Sequence, residues 1–199
     1  MTRLITIVGN NASGKTTLTH ALCQAGGFTP SLESHEDRPY QPLFAQDQQR
    51  YALPNQIDYL LRRAEQEAEI RAGEITGVQD GGLDQDYHLY TRLFHHKGFL
   101  DDREYALLGR TYRALRGGLP RPDLIVRLKA PLPLLRQRLL ARARLIDLET
   151  IVTLDDLPYL ENCLDEWLVK VNPAELLEID VQAEDEGFSK AVAAVLARV

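Results

Sequence analysis

Residues 4–17 read Leu-Ile-Thr-Ile-Val-Gly-Asn-Asn-Ala-Ser-Gly-Lys-Thr-Thr. Leu4 to Val8 is an apolar run that reads as a buried strand closed by Gly9, and a helical pattern follows from Lys15 to about Ala25. Between them Gly9, Gly14, Lys15 and Thr16 fit the spacing G-x-x-x-x-G-K-[ST]. Each residue type has a physical task. Glycines let the backbone curl, so that the amides of Gly9, Asn10, Asn11, Ala12, Ser13, Gly14, Lys15, Thr16 and Thr17 can cradle phosphate oxygens. The helix that follows adds its positive N-terminal end. Lys15 brings an ammonium to the β and γ phosphates, and the Thr16 hydroxyl is a ligand for Mg²⁺. The motif specifies a nucleoside-triphosphate site and leaves open what the phosphate is used for.

Outward from this stretch, strand and helix patterns alternate. Gly26-Gly27 ends the first helix, and a short strand is expected near Phe28–Leu32. Residues 34–50 are polar, contain Pro39 and Pro42, and read as irregular. From Tyr51 to about Arg71 the spacing is helical, with Ile57, Leu60, Leu61, Ala64 and Ala68 on one face, and Gly73 stops it. Ile75–Gln79 reads as a strand ending in Asp80, followed by a Gly81-Gly82 turn. Helices are expected at about 84–96 and 101–116, the second capped by Asp101 or Asp102. The strand at Asp123–Leu128 precedes a helix from near Pro133 to Arg144. Another helix runs from about Leu157 to Val171, then a strand at Leu176–Asp180 and a last helix. This order predicts one α/β domain over residues 1–199, a three-layer fold with a parallel five-stranded sheet between helices. The ligand crevice lies at the carboxyl ends of the strands in such a sheet.

Composition narrows the partners. The 199-residue chain carries a formal net charge of -6 and shows no basic stripe, which argues against a nucleic-acid binder. No segment approaches the length of apolar residues that spans a bilayer, and the N-terminus reads as a strand rather than a signal peptide. Cys23 and Cys163 are far apart and lack metal-ligand spacing, as expected of reduced thiols in a cytoplasmic protein.

With these residues in view, the chain resembles the deoxynucleoside kinase family, especially its bacterial deoxyadenosine/deoxyguanosine kinases, within the P-loop superfamily. The resemblance rests on the phosphate loop, on Glu33 with Glu36-Asp37-Arg38-Pro39, and on Arg50-Tyr51 leading to Gln56-Ile57-Asp58-Tyr59-Leu60-Leu61-Arg62-Arg63. It continues through Asp80, Pro122-Asp123-Leu124-Ile125-Val126 and Arg138-Leu139-Leu140-Ala141-Arg142-Ala143-Arg144, then Glu166-Trp167 and Leu177-Glu178-Ile179-Asp180. It implies phosphoryl transfer from ATP, with Mg²⁺, to the 5′-hydroxyl of a deoxynucleoside.

The resemblance also implies residue roles. Glu33 matches the general base on the 5′-hydroxyl. Gln56 matches the glutamine that hydrogen-bonds the base. Arg63 and Asp86 match the pair that reads the base edge, in the form that favours purines or cytosine. Arg138, Arg142 and Arg144 match the arginines of a lid at about 138–155, which neutralise the transferring phosphoryl. Asp147 stands where a glutamate contacts the sugar 3′-hydroxyl, and Asp80 joins Thr16 at the metal. A homodimer through the helices after the second and third strands is implied, or a heterodimer with a paralogous kinase subunit.

Some positions depart from the family pattern. The usual acid-Arg-Ser triplet reads Asp80-Gly81-Gly82, Glu-Pro reads Glu33-Ser34, and a sugar-contacting tyrosine falls at Ala45. The Gly81 change leaves several readings open: a different acceptor, a neighbour such as Tyr87, His88 or Arg92 supplying the contact, a degenerate nucleotide-binding subunit, or a plain tight turn. A kinase for a nucleoside monophosphate or another small acceptor is a further alternative, with Arg38, Arg50 or Arg63 meeting the acceptor phosphate.

Overall fold

The computed structural model describes residues 2–32, 38–145, 151–182 and 188–199, and side chains in the second segment as far as Ala141. Strands β1 (Leu4–Gly9), β2 (Thr29–Ser31), β3 (Gly77–Asp80), β4 (Leu124–Lys129) and β5 (Leu176–Asp180) form one sheet in the order β2-β3-β1-β4-β5. Every pairing is parallel, as the alternating pattern predicts. β1 is central and buried at all six of its positions. A central parallel strand is covered on both faces, which is why Leu4–Val8 reads as a continuous apolar run.

One face is covered by α1 (Lys15–Gly26) and the C-terminal helix α9 (Ser189–Leu196), which enclose Leu18, Leu22, Val126, Leu128, Ala191 and Val195. The other is covered by α3 (Gln48–Ala72), by α4 (Leu83–Gln85), α5 (Arg92–His96) and α6 (Asp102–Gly117), and by α8 (Leu157–Leu168). α2 (Gln41–Gln46) precedes α3 within the stretch expected to be irregular, and Pro42 sits in its first turn, where a missing amide hydrogen costs nothing. α7 (Leu132–Leu145) packs Leu135 and Leu139 against Leu157. Asp101 caps α6 in a full capping box with Glu104, choosing between the two candidates.

Two elements differ from the expected pattern. The apolar face expected for α3 is buried only in part: Leu60 and Ala64 are buried and Ile57 is half-buried, whereas Leu61 is 44% exposed and Ala68 faces outward. The inner face also holds Asn55, Gln56, Arg63, Gln66 and Glu67, so this helix buries polar side chains beside Ala52, Leu60, Ala64 and Ile70. The helix expected at 84–96 is interrupted by a π-helical segment at Asp86–Thr91. Such a wide turn is common at functional sites, and this one carries Asp86. Among the described residues no helix is long and apolar enough to cross a membrane, and Cys23 and Cys163 are free thiols.

Candidate active site

The phosphate loop leaves the carboxyl end of β1 and enters α1. Gly9 is required by space, since a Cβ there would lie 2.7 Å from Ser13 Oγ and 2.9 Å from the Leu128 carbonyl. Gly14 precedes α1, and no side chain caps the first turn of that helix, leaving its amide end available to an anion. Lys15 Nζ donates to the carbonyls of Gly9 at 3.2 Å and Asn10 at 3.1 Å, which folds it back over the loop. Thr16 and Thr17 are exposed, and the Thr16 hydroxyl hydrogen-bonds Asp80 Oδ2 at the end of β3. The neighbouring β1–β3 register brings those two oxygens together, with Ile7 opposite Asp80.

Thr16 and Asp80 thus offer one hydroxyl and one carboxylate side by side. Among the described residues no cluster of three or more His, Cys, Asp or Glu side chains forms a metal cage. A hard ion that keeps waters and substrate phosphates in its shell fits this sparse oxygen set, as Mg²⁺ does in phosphoryl-transfer sites.

A second polar group is built on α3 and the π segment. Arg63 Nε donates to Asp86 Oδ2 at 2.8 Å, and Gln56 Nε2 donates to the Asp86 carbonyl at 3.1 Å. All three are nearly inaccessible, so each polar atom must be satisfied by a neighbour or by a ligand. Gln66 Nε2 donates to the carbonyl of Leu32, the residue before Glu33, at 3.1 Å. Glu33 and Asp147 lie outside the described residues, as do the side chains of Arg142 and Arg144. Arg138 is half-buried on α7.

Two contacts that the sequence did not signal join the halves. Gln85 Oε1 accepts from the Gly9 amide at 2.9 Å, and the Tyr90 hydroxyl donates to Asn11 Oδ1 at 2.7 Å. Both span more than seventy residues and have no local signature. The Gly81-Gly82 turn has a backbone that favours glycine. Gly81 has φ 80° and Gly82 φ 127°, both conformations that L side chains rarely adopt. A Cβ at Gly81 would lie 3.3 Å from Arg63 Nη2 and 3.4 Å from Gln85 Nε2. The donors facing this position therefore come from Arg63 and Gln85. Tyr87 stacks on Tyr112 instead, Arg92 Nη2 pairs with Glu166 at 2.6 Å, and His88 stacks on Trp167.

Beside the Arg63–Asp86 pair runs a second polar network. Arg116 Nη2 donates to both oxygens of Glu67 at 2.7 and 2.8 Å, while its Nε lies 3.2 Å from Asp84 Oδ1. Burial pushes the Glu67 carboxyl up, with Arg116 opposing. Tyr112 donates to Asp84 at 2.7 Å and approaches His88 Nε2 at 3.4 Å. Burial drives the His88 pKa down to about 4; Asp84 opposes this, and Arg92 and Lys170 add to it.

The chain is 31% identical to deoxyadenosine kinase of Dictyostelium discoideum over 168 residues, 84% of this chain and 67% of that protein. It is 28% identical to deoxyadenosine/deoxycytidine kinase of Bacillus subtilis (strain 168) over 149 residues, 74% of this chain and 69% of that protein. It is 27% identical to deoxyguanosine kinase of the same organism over 189 residues, 92% of this chain and 88% of that protein. In fold it is similar to deoxyadenosine kinase from M. mycoides solved with dCMP and a flexible dCDP, with TM-score 0.81 and 18% identity, covering 98% of this chain and 100% of that one. The sequence matches the family model for deoxynucleoside kinases over residues 5–199, and the chain belongs to that family.

Proposed function

We propose that this deoxynucleoside kinase transfers the γ-phosphoryl group of ATP to the 5′-hydroxyl of a purine deoxynucleoside or deoxycytidine, as a single domain acting in cytoplasmic nucleotide salvage. The observation that carries the reading is the junction of two polar sites at the carboxyl ends of β1 and β3. The phosphate loop with Thr16 and Asp80 lies on one side, the buried Gln56–Arg63–Asp86 group on the other, and Gln85 links the second to Gly9. This junction supports a donor and an acceptor bound next to each other, the proximity that phosphoryl transfer depends on.

The residue roles are those that the family resemblance implies, and each fits the chemistry of its side chain. The loop amides and Lys15 bind the donor phosphates and hold their charge in place. Thr16 and Asp80 would hold Mg²⁺, which when bound supplies charge neutralisation to the phosphates. Arg63, fixed by Asp86, presents its guanidinium to a base edge, and Gln56 orients beside it. Glu33 accepts the proton of the 5′-hydroxyl, while Arg138, Arg142 and Arg144, in a lid at about 138–155, neutralise the transferring group. Asp147 takes the sugar 3′-hydroxyl. The names of the relatives, which span deoxyadenosine, deoxycytidine and deoxyguanosine kinases, support an acceptor of that range. A homodimer through α3 and α6 is part of the reading, supported by Leu61 and Leu107 standing 44% and 41% exposed on those helices.

A second reading rests on Gly81, where the family pattern has an arginine: a nucleotide-binding subunit that works beside an active paralogue. One experiment separates the two. Glu33→Gln is expected to bind Mg·ATP as wild type does and to lose turnover by about 10²-fold or more. Equal turnover in the variant contradicts the base assignment, and an inactive wild type that binds ATP favours the partner-subunit reading.

A further inference from the structure

A chain of part-buried polar contacts leads from the outer sheet into the phosphate loop, and it is used by none of the roles above. Arg127 lies on β4 opposite Val8, one residue before the loop, and opposite Glu178 on β5. Its guanidinium is almost wholly buried and meets three carboxylates: Glu161 at 2.8 Å, Asp165 at 2.6 Å and Glu178 at 3.1 Å. Glu161 is the most enclosed of the three, at 23% exposure against 60% and 44%. With Oε1 on Arg127, its Oε2 accepts from Asn10 Nδ2 at 3.0 Å.

Asn10 is 1% exposed and fully engaged. Its Nδ2 also donates to the Leu157 carbonyl at 2.9 Å, at the start of α8, and its Oδ1 accepts from the Asn11 amide at 2.8 Å. Both amide hydrogens and the carbonyl of the side chain are thus fixed, and only one orientation of the carboxamide satisfies them all. The rotamer of Asn10 and the path of the backbone into Asn11 are set from α8, while Tyr90 on the π segment holds the Asn11 side chain.

We propose that Glu161 is a positioning residue for the donor phosphates. Oriented by Arg127, it locks the Asn10 carboxamide, and Asn10 sets the curvature with which the loop amides meet a triphosphate. The inference rests on the reading that residues 9–17 hold those phosphates. A preorganised anion cradle binds tightly because its dipoles need no rearrangement when the ligand arrives. Loosening one end of the loop therefore weakens ATP binding and leaves the nucleoside pocket on α3 intact.

The test compares Mg·ATP and deoxynucleoside affinities by calorimetry, alongside thermal denaturation, for wild type, Glu161→Ala, Glu161→Gln and Asn10→Ala. Glu161→Ala and Asn10→Ala are each expected to weaken Mg·ATP about tenfold, the scale of one buried charged hydrogen bond, with nucleoside affinity within about twofold. Glu161→Gln keeps an oxygen that accepts from Asn10 and is expected to stay within about threefold of wild type. The double variant Asn10→Ala/Glu161→Ala is expected to be no weaker than the weaker single one, since both remove the same contact. Wild-type ATP affinity in Glu161→Ala overturns the proposal, as do ATP and nucleoside affinities that fall together in step with the melting temperature. A wild type that binds no Mg·ATP overturns the phosphate-loop reading instead.

Discussion

Arg63 Nε lies 2.8 Å from Asp86 Oδ2, with side-chain exposures of only 2% and 3%. A buried charge pair is held in one geometry, and removing either partner strands the other, at a cost of about 3–5 kcal/mol. Asp86→Asn is the gentler change, because it keeps an acceptor oxygen. It is expected to raise the nucleoside KM by about tenfold or more while Mg·ATP affinity stays near wild type. Steady-state kinetics over the four deoxynucleosides checks this, and an unchanged KM for each of them contradicts the base-edge role.

The Thr16–Asp80 contact joins the phosphate loop to β3. Asp80→Asn removes a formal charge and keeps the shape. The expected result is a several-fold higher Mg²⁺ concentration for half-maximal activity, read from a magnesium titration at fixed ATP. An unshifted titration curve separates Asp80 from the metal.

Restoring the family's arginine by Gly81→Arg is expected to fail. A side chain at φ 80° carries about 1–2 kcal/mol of backbone strain. Its Cβ would also crowd the Arg63 guanidinium at 3.3 Å, placing two cations together. A melting temperature lower by several degrees and no gain in kcat are the expected readings. A faster enzyme would mean that the glycine is a lesion in the site rather than a fitted part of it.

His88 sets a pH dependence of stability. Its folded pKa of about 4 lies below the ordinary value of 6.5, chiefly because the ring is buried between Tyr112 and Trp167. The unfolded chain takes up the proton first, so stability is full above about pH 6.5 and falls as pH drops from 6.5 towards 4. Asp84 faces the ring and opposes the shift, while Arg92 and Lys170 reinforce it. The loss from this group amounts to at most about 3 kcal/mol. His88→Gln is expected to flatten that part of the profile in denaturant titrations, and an identical slope in the variant contradicts it.

The fold was largely legible because its signals are local. The apolar run Leu4–Val8, the glycines after it and the alternation of strand and helix patterns are enough for a parallel sheet with a phosphate loop at its centre. The phosphate loop was legible for the same reason. The polar group on α3 was less so, because that helix buries polar and apolar side chains together. α3 turns Gln56, Arg63 and Gln66 inward beside Leu60 and Ala64 and leaves Leu61 outside, so apolar periodicity finds only part of the buried face. Gln85 on Gly9, Tyr90 on Asn11 and Glu161 on Asn10 join residues 76 to 151 apart in sequence, and nothing in the neighbourhood of either partner announces them. The Gly81-Gly82 departure, ambiguous as a pattern, becomes interpretable once the two positive φ angles and the facing Arg63 and Gln85 are known.

The central claim is that the loop at residues 9–17 delivers a phosphoryl group to a deoxynucleoside held against α3. Its most direct test is phosphate transfer from Mg·ATP to each deoxynucleoside and ribonucleoside, and to the corresponding monophosphates, by wild type and Lys15→Ala in parallel. The account predicts transfer to a purine deoxynucleoside or deoxycytidine by wild type, with a loss of about 10²–10³-fold in Lys15→Ala. Transfer to monophosphates alone, to no acceptor, or at equal rates by the two proteins would contradict it.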